Sequence, residues 1–171
     1  MGYFVIDVES DGPIPHKYSM VCFGAVYVEN PPTKTFYGRT KPISDTFDPE
    51  ALAISGFTRE QHLLFPDPKE VMVQFDLWVS EVNTKGRPIF VSDNVAYDWQ
   101  WINYYTHYYL GKNPFGWSGR RIGDLVSGLE RNMYSKWKHL RKTKHTHDPV
   151  DDAKGNAEAL VELSKRIKGI L

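Results

Sequence analysis

At 171 residues, with 21 basic and 21 acidic side chains, the chain is long enough to bury well over half the surface its unfolded form exposes, and its zero net charge argues against a protein that coats nucleic acid by bulk electrostatics. One cysteine, Cys22, excludes an intrachain disulfide, no run is long and apolar enough for a membrane span, and an N-terminal run broken by Asp7 is not a signal peptide. These features read as one soluble domain over residues 1–171 in a reducing cytoplasm, with no membrane partner.

The run from Tyr3 to Val8, closed by Glu9-Ser10-Asp11-Gly12, predicts a buried strand that ends in a glycine turn. Side chains alternate along a strand, so Asp7 and Glu9 point one way and Val8 the other. Two carboxylates sharing one face at the end of a core strand repel each other and resist joint ionisation. A shared proton or a bound cation relieves them; two solvated side chains are the plainer account of an isolated Asp-x-Glu.

Residues 10–18, with Gly12, Pro13 and Pro15, form a loop in this reading, and 19–29 and 34–40 are strands joined by a turn over 30–33, which completes an antiparallel meander. Residues 48–56 carry the cap, proline and terminal glycine of a short helix, and 68–82 place Val71, Phe75, Trp78, Val79 and Val82 at helical spacing. The apolar run 88–92 fits a buried parallel strand, followed by Asp93-Asn94 and a helix to about residue 110. Residues 122–129 suit either a short strand or a helix. Residues 136–147 are basic and uncapped, a loop, and 151–168 form a last helix with Asp151 as its N-cap. Strands, then helices, then strand, helix, short element and helix predict a mixed α/β layer architecture.

Chemistry-bearing residues fall at element boundaries. Asp98 lies in the first turn of the helix after 88–92, where the dipole favours a charged carboxylate. Asp152 projects from the first turn of the last helix, free of the cap, and His147 precedes it in a loop.

Asp7-Val8-Glu9-Ser10-Asp11-Gly12, then Asn94-Val95-Ala96-Tyr97-Asp98, then His147 five positions before Asp152-Ala153, resemble in order the three motifs of the DEDDh exonucleases. That family includes proofreading subunits of bacterial replicative polymerases, oligoribonuclease, ribonuclease T and the three-prime repair exonucleases. His145 cannot take the histidine's part at the same spacing, because five positions on lies Val150. Phe47-Asp48-Pro49-Glu50-Ala51 and Ile54-Ser55-Gly56-Phe57-Thr58 look like the segment flanking the family's cleft, so the resemblance covers almost the whole chain.

The resemblance implies a ribonuclease H-like α/β fold, in which a three-strand antiparallel meander and two parallel strands form a five-stranded mixed sheet flanked by helices. It implies a single exonuclease domain over 1–171 that releases 5′-mononucleotides from the 3′ end of single-stranded DNA or RNA. Two divalent ions, Mg²⁺ or Mn²⁺, are implied, with Asp7, Glu9 and Asp152 holding the nucleophile-side ion, Asp7 bridging to the second and Asp98 acting directly or through water. His147 takes the proton of the attacking water, a task suited to an imidazole near neutral pH. Ser10, Asn94 and Tyr97, which stand inside the motifs, are the expected substrate contacts.

Residues 136–145 carry five Lys or Arg and no acid, and lead to His147; Lys142 and Lys144 are therefore expected to touch phosphate, a solvated loop being the alternative. Trp99, Trp101, Tyr104, Tyr105, Tyr108 and Tyr109 suit core packing and a homodimer surface, with base stacking as a further use. A nuclease of very short oligonucleotides or nucleotide signals, and a non-catalytic nucleic-acid-binding subunit, remain alternatives; complete motifs weigh against the latter.

Overall fold

Strand β1 (Gly2–Ser10) runs through the middle of the sheet in the computed structural model, which describes residues 1–167. β2 (Met20–Tyr27) pairs antiparallel with β1 from Phe4↔Tyr27 to Glu9↔Cys22, and β3 (Thr35–Arg39) pairs antiparallel with β2. On the other side β4 (Pro88–Ser92) runs parallel to β1 from Gly2↔Pro88 to Val5↔Val91, and the short β5 (Gly119–Arg121) runs parallel to β4. The order β3-β2-β1-β4-β5 is the mixed five-stranded sheet that the motifs implied.

Alternation along β1 divides the core into two layers. Phe4, Ile6 and Val8 pack with Phe75, Trp101 and Tyr105 beneath α3 (Pro68–Val82) and α4 (Val95–Leu110). Tyr3 and Val5 pack with Val91, Val126, Ala157 and Leu160 beneath α5 (Ile122–Glu130) and α6 (Pro149–Ser164). Burying each of these larger apolar side chains stabilises the fold by roughly 1.5–3 kcal/mol. Asp7 and Glu9 continue the second face and point toward α6, while Val8 enters the first layer as alternation requires.

Helix starts follow their caps. Asp48 accepts from Glu50 N at 2.9 Å to begin α1 (Pro49–Ile54), and Asp67 accepts from Lys69 N at 2.9 Å to begin α3. The helix α2 (Arg59–Leu63), absent from the sequence reading, is opened by a capping box between Thr58 and Gln61. The last helix corrects another expectation. Its N-cap is Asp148, whose Oδ1 accepts from Val150 N at 2.9 Å and Asp151 N at 3.2 Å, because Pro149 occupies the first helical position. Asp151 is therefore inside α6. The helix ends at Ser164; Lys168, its expected end, lies outside the described residues. Residues 122–129 resolve to the helix α5, with β5 immediately before it, and the basic loop contains a 3₁₀ turn, Lys138–Leu140. Among the described residues no helix is long and apolar enough to cross a membrane.

Candidate active site

The acidic end of β1 is brought against α6 by a missing side chain. Gly24 is the β2 partner of Asp7, and a Cβ there would lie 2.3 Å from the backbone carbonyl of Pro149. Only glycine lets the helix start descend so close to the sheet. Asp152, in the first turn of α6, is 2% exposed and is engaged rather than free: its oxygens accept from Thr146 N and His147 N, each at 3.2 Å. His145 Nδ1 stands 2.7 Å from the same carboxylate. Asp98 reaches in from the first turn of α4, where its Oδ1 accepts from Val8 N at 3.1 Å. The β1–β4 ladder stops at Val5↔Val91, so this carboxylate supplies an acceptor to the strand beyond the ladder's end.

Burial and mutual charge oppose ionisation at three of these carboxylates. Burial, followed by the charges of Asp98, Glu9 and Asp152, holds Asp7 well above the carboxylate range, and Arg141 only partly opposes this. Glu9 is pushed up to about 7 by burial and then by Asp152. Asp98 also rises to about 7, chiefly through burial, against the lowering effect of the bond from Val8. The helix dipole expected to favour its charged form is outweighed by desolvation.

His147 adopts a left-handed backbone conformation, φ 63°, and its half-exposed ring places Nδ1 3.9 Å from Glu9 Oε1. Ser10 Oγ donates to Gly12 O at 2.6 Å and is hydrogen-bonded to the Tyr97 hydroxyl; with its own proton committed, it accepts from the phenol. Asn94 precedes α4 without a side-chain capping bond and lines a cavity of about 610 Å³ with Arg121, Lys136 and Lys138. Lys142 and Lys144 are exposed beside a second cavity of about 320 Å³. Their loop is fastened to α6 by Glu158, which accepts from Lys142 N at 2.9 Å and Thr143 N at 2.7 Å. Of the aromatics on α4, Trp101 and Tyr105 are fully buried, Trp99, Tyr104 and Tyr109 are partly buried against the core, and Tyr108 is exposed.

Two features escaped the sequence reading. Arg141 is nearly buried, stacks over the Trp137 ring at 5.2 Å, and sends its guanidinium toward Asp93 at 3.6 Å, close enough to Asp7 to lower its pKa. Sequence alone presents it as one cation in a basic run. The other is a buried trio beneath the loop that follows β1. Asp11 accepts from Ser19 N at 2.5 Å and pairs with Arg59 at 2.9 Å, and His62 Nδ1 is 3.7 Å away. Burial and the Arg59 charge depress His62 to about 4, which keeps it neutral. Asp11 stood in the sequence within the first motif and its turn, with no role of its own, and its partners lie on a helix without a long periodic signal.

The order of the motifs and the site they build define a class: the chain belongs to the DEDDh family of 3′–5′ exonucleases. It is 38% identical over 172 residues to the 3′-5′ DNA exonuclease Cap18 of Escherichia coli, a match that covers 94% of this chain and 90% of that protein. No protein-family model matches it. In fold it is similar to cell-death related nuclease 4 (CRN-4), with a TM-score of 0.77 at 16% identity over 97% of this chain and 64% of that structure. The nuclease domain of 3′hExo bound to rAMP has a TM-score of 0.77 at 17% identity, covering 97% of this chain and 92% of that one. Exonuclease I of E. coli in complex with single-stranded DNA scores 0.66 at 17% identity; the match covers 99% of this chain but only 41% of that enzyme.

Proposed function

We propose that the chain hydrolyses single-stranded DNA from its 3′ end, with two divalent cations, Mg²⁺ or Mn²⁺, held by Asp7, Glu9, Asp98 and Asp152 and with His147 as general base. The observation that carries this reading is the convergence of four carboxylates, from β1, α4 and α6, beside an imidazole that solvent can reach. The donor set fits such ions. Hard oxygen ligands select Mg²⁺ and Mn²⁺, and protons retained by Asp7, Glu9 and Asp98 are those that a cation would replace.

When bound, such ions offset negative charge growing on the phosphate and acidify the attacking water. The remaining work falls to the chain. Asp7 feels Asp98, Glu9 and Asp152 at once, and would be the carboxylate most in need of a cation's charge. His147 takes the proton as water attacks phosphorus and the P–O3′ bond breaks, and Glu9 nearby stabilises the resulting imidazolium. The product is a 5′-mononucleotide. Ser10, Asn94 and Tyr97 border the reacting end, and Lys142 and Lys144 meet the phosphates of the strand.

DNA is preferred over RNA in this reading because the 38%-identical relative is named for DNA, whereas the nuclease domain of 3′hExo bound to rAMP is similar only in fold. The catalytic unit is the single domain 1–171, and the buried free thiol of Cys22 suits a cytoplasmic location. End-labelled DNA and RNA of several lengths, incubated with Mn²⁺ or with EDTA, test the proposal. Stepwise shortening of single-stranded DNA, abolished by EDTA and by Asp7→Ala, is expected. Full activity in EDTA would overturn it, preference for dinucleotides would move the substrate to very short oligonucleotides, and binding without cleavage would make the chain a non-catalytic subunit.

A further inference from the structure

We propose that His145, His147 and Asp152 form an inhibitory binding site for Zn²⁺, distinct in its ligand chemistry from the carboxylate site. One ligand atom from each of the three lies within 4.8 Å of the others. The arrangement is built by the backbone. Thr146 N and His147 N both donate to Asp152, which fixes its carboxylate, and the left-handed turn at His147 brings the two imidazoles to a centroid separation of 4.3 Å. The carboxylate is buried while both rings are about half exposed, so an ion from solvent meets a fixed oxygen and two adjustable nitrogens. Donors about 2.0–2.2 Å from a tetrahedral ion stand about 3.4 Å apart, within reach of small rotations of those exposed rings.

Two imidazoles and one carboxylate, with a fourth position open to water, are a donor set for zinc. Mg²⁺ prefers oxygen donors, and Mn²⁺ stands below Zn²⁺ in affinity for nitrogen-bearing sites. The same end of α6 therefore presents hard donors on one side and borderline donors on the other, with Asp152 common to both. An ion held there takes the lone pair of His147 and diverts Asp152. The inhibition, though not the binding, rests on the catalytic roles proposed above for those two residues. His145 is given no role in the hydrolysis proposed above, and this makes it the residue to test.

Co²⁺ serves as a coloured substitute for Zn²⁺, because a tetrahedral nitrogen-bearing site gives intense visible absorption and an octahedral oxygen site does not. Titrated into the full chain carrying Asp7→Ala, which disrupts the carboxylate site and leaves all three donors, Co²⁺ is expected to give that absorption. Zn²⁺ should displace it, Mg²⁺ should not, and Asp7→Ala combined with His145→Ala should lose it. No absorption, or equal absorption without His145, overturns the site. In a nuclease assay at fixed Mg²⁺, His145→Ala should require at least about tenfold more Zn²⁺ for half-inhibition than the unsubstituted chain. Equal sensitivity overturns the inhibitory role. Activity in EDTA would sink the function reading yet leave the absorption result standing, so the two failures are told apart.

Discussion

Glutamine in place of Glu9 should make the cation-free protein more stable above neutral pH, the reverse of what a substitution at a buried polar position ordinarily does. Burial and Asp152 lift Glu9 from its ordinary 4.5 to about 7. The raised value sets the sign: the protonated form favours the fold, so the penalty is absent below about pH 4.5, grows through the interval to about 7 and is complete above it. A shift of that size corresponds to about 3 kcal/mol, and discounting it for partial solvent screening leaves about 2 kcal/mol. For a chain of this length that is about 4–8 °C in Tm. Thermal melts in EDTA at pH 8 should therefore place Glu9→Gln above the unsubstituted protein by several degrees, with the difference vanishing near pH 4.5. Saturating Mn²⁺ should reverse the order, since an ion at a hundredfold excess over its Kd adds about 2.7 kcal/mol to the protein that binds it best. A Glu9→Gln variant that melts at or below the unsubstituted protein in EDTA at pH 8 would refute the penalty that burial and then Asp152 are argued to place on the Glu9 anion.

His147→Ala should lower kcat by about 10²- to 10⁴-fold while Mn²⁺ binding, followed by calorimetry, largely survives. A larger loss from His145→Ala would place the base two residues earlier. Replacing Lys142 and Lys144 with Ala in a catalytically dead Asp98→Asn background should weaken single-strand binding at low salt and flatten the salt dependence by a slope of roughly 0.7 for each phosphate contact removed; coincident lines of affinity against salt would mean a solvated loop. Gly24→Ala sets a methyl group 2.3 Å from the Pro149 carbonyl, so it should push α6 away from β1 and reduce kcat together with Tm. Unchanged values of both would show that the close approach is not needed.

Where sequence pattern and physical cause coincide, the fold could be read in advance. α3 begins at Pro68 in both sequence and structure because Asp67-Pro68 is an unambiguous start and the apolar spacing behind it is regular. β1 and the direction of Asp7 and Glu9 follow from alternation alone. α6 was misplaced at its start because Asp148 and Asp151 both have capping chemistry, and only the fixed φ of Pro149 chooses between them. β5 carries no such signal: Gly119-Arg120-Arg121 is a strand because β4 offers an edge, not because its side chains prefer one. Within the site, the motif residues were legible and their electrostatics were not. Whether Asp98 is stabilised as an anion depends on how much water reaches it, and that is decided by chain segments distant in sequence. Arg141 was hidden for the same reason, since its burial depends on Trp137 and on the room left by Gly155.

The bond from Val8 N to Asp98 Oδ1 gives this side chain a piece of carpentry beside the chemistry proposed for it. Alanine at this position removes the anion and also leaves a buried amide without an acceptor, at a cost of about 1–3 kcal/mol. Asparagine removes the anion but still offers a carbonyl oxygen to Val8. Comparing the two therefore separates the metal-site role from the structural one: both should be inactive, and only Asp98→Ala should melt early. In this chain a carboxylate proposed to hold a cation is also the last rung that β4 does not supply, so the end of β1 that presents Asp7 and Glu9 is aligned by a residue of the candidate site itself.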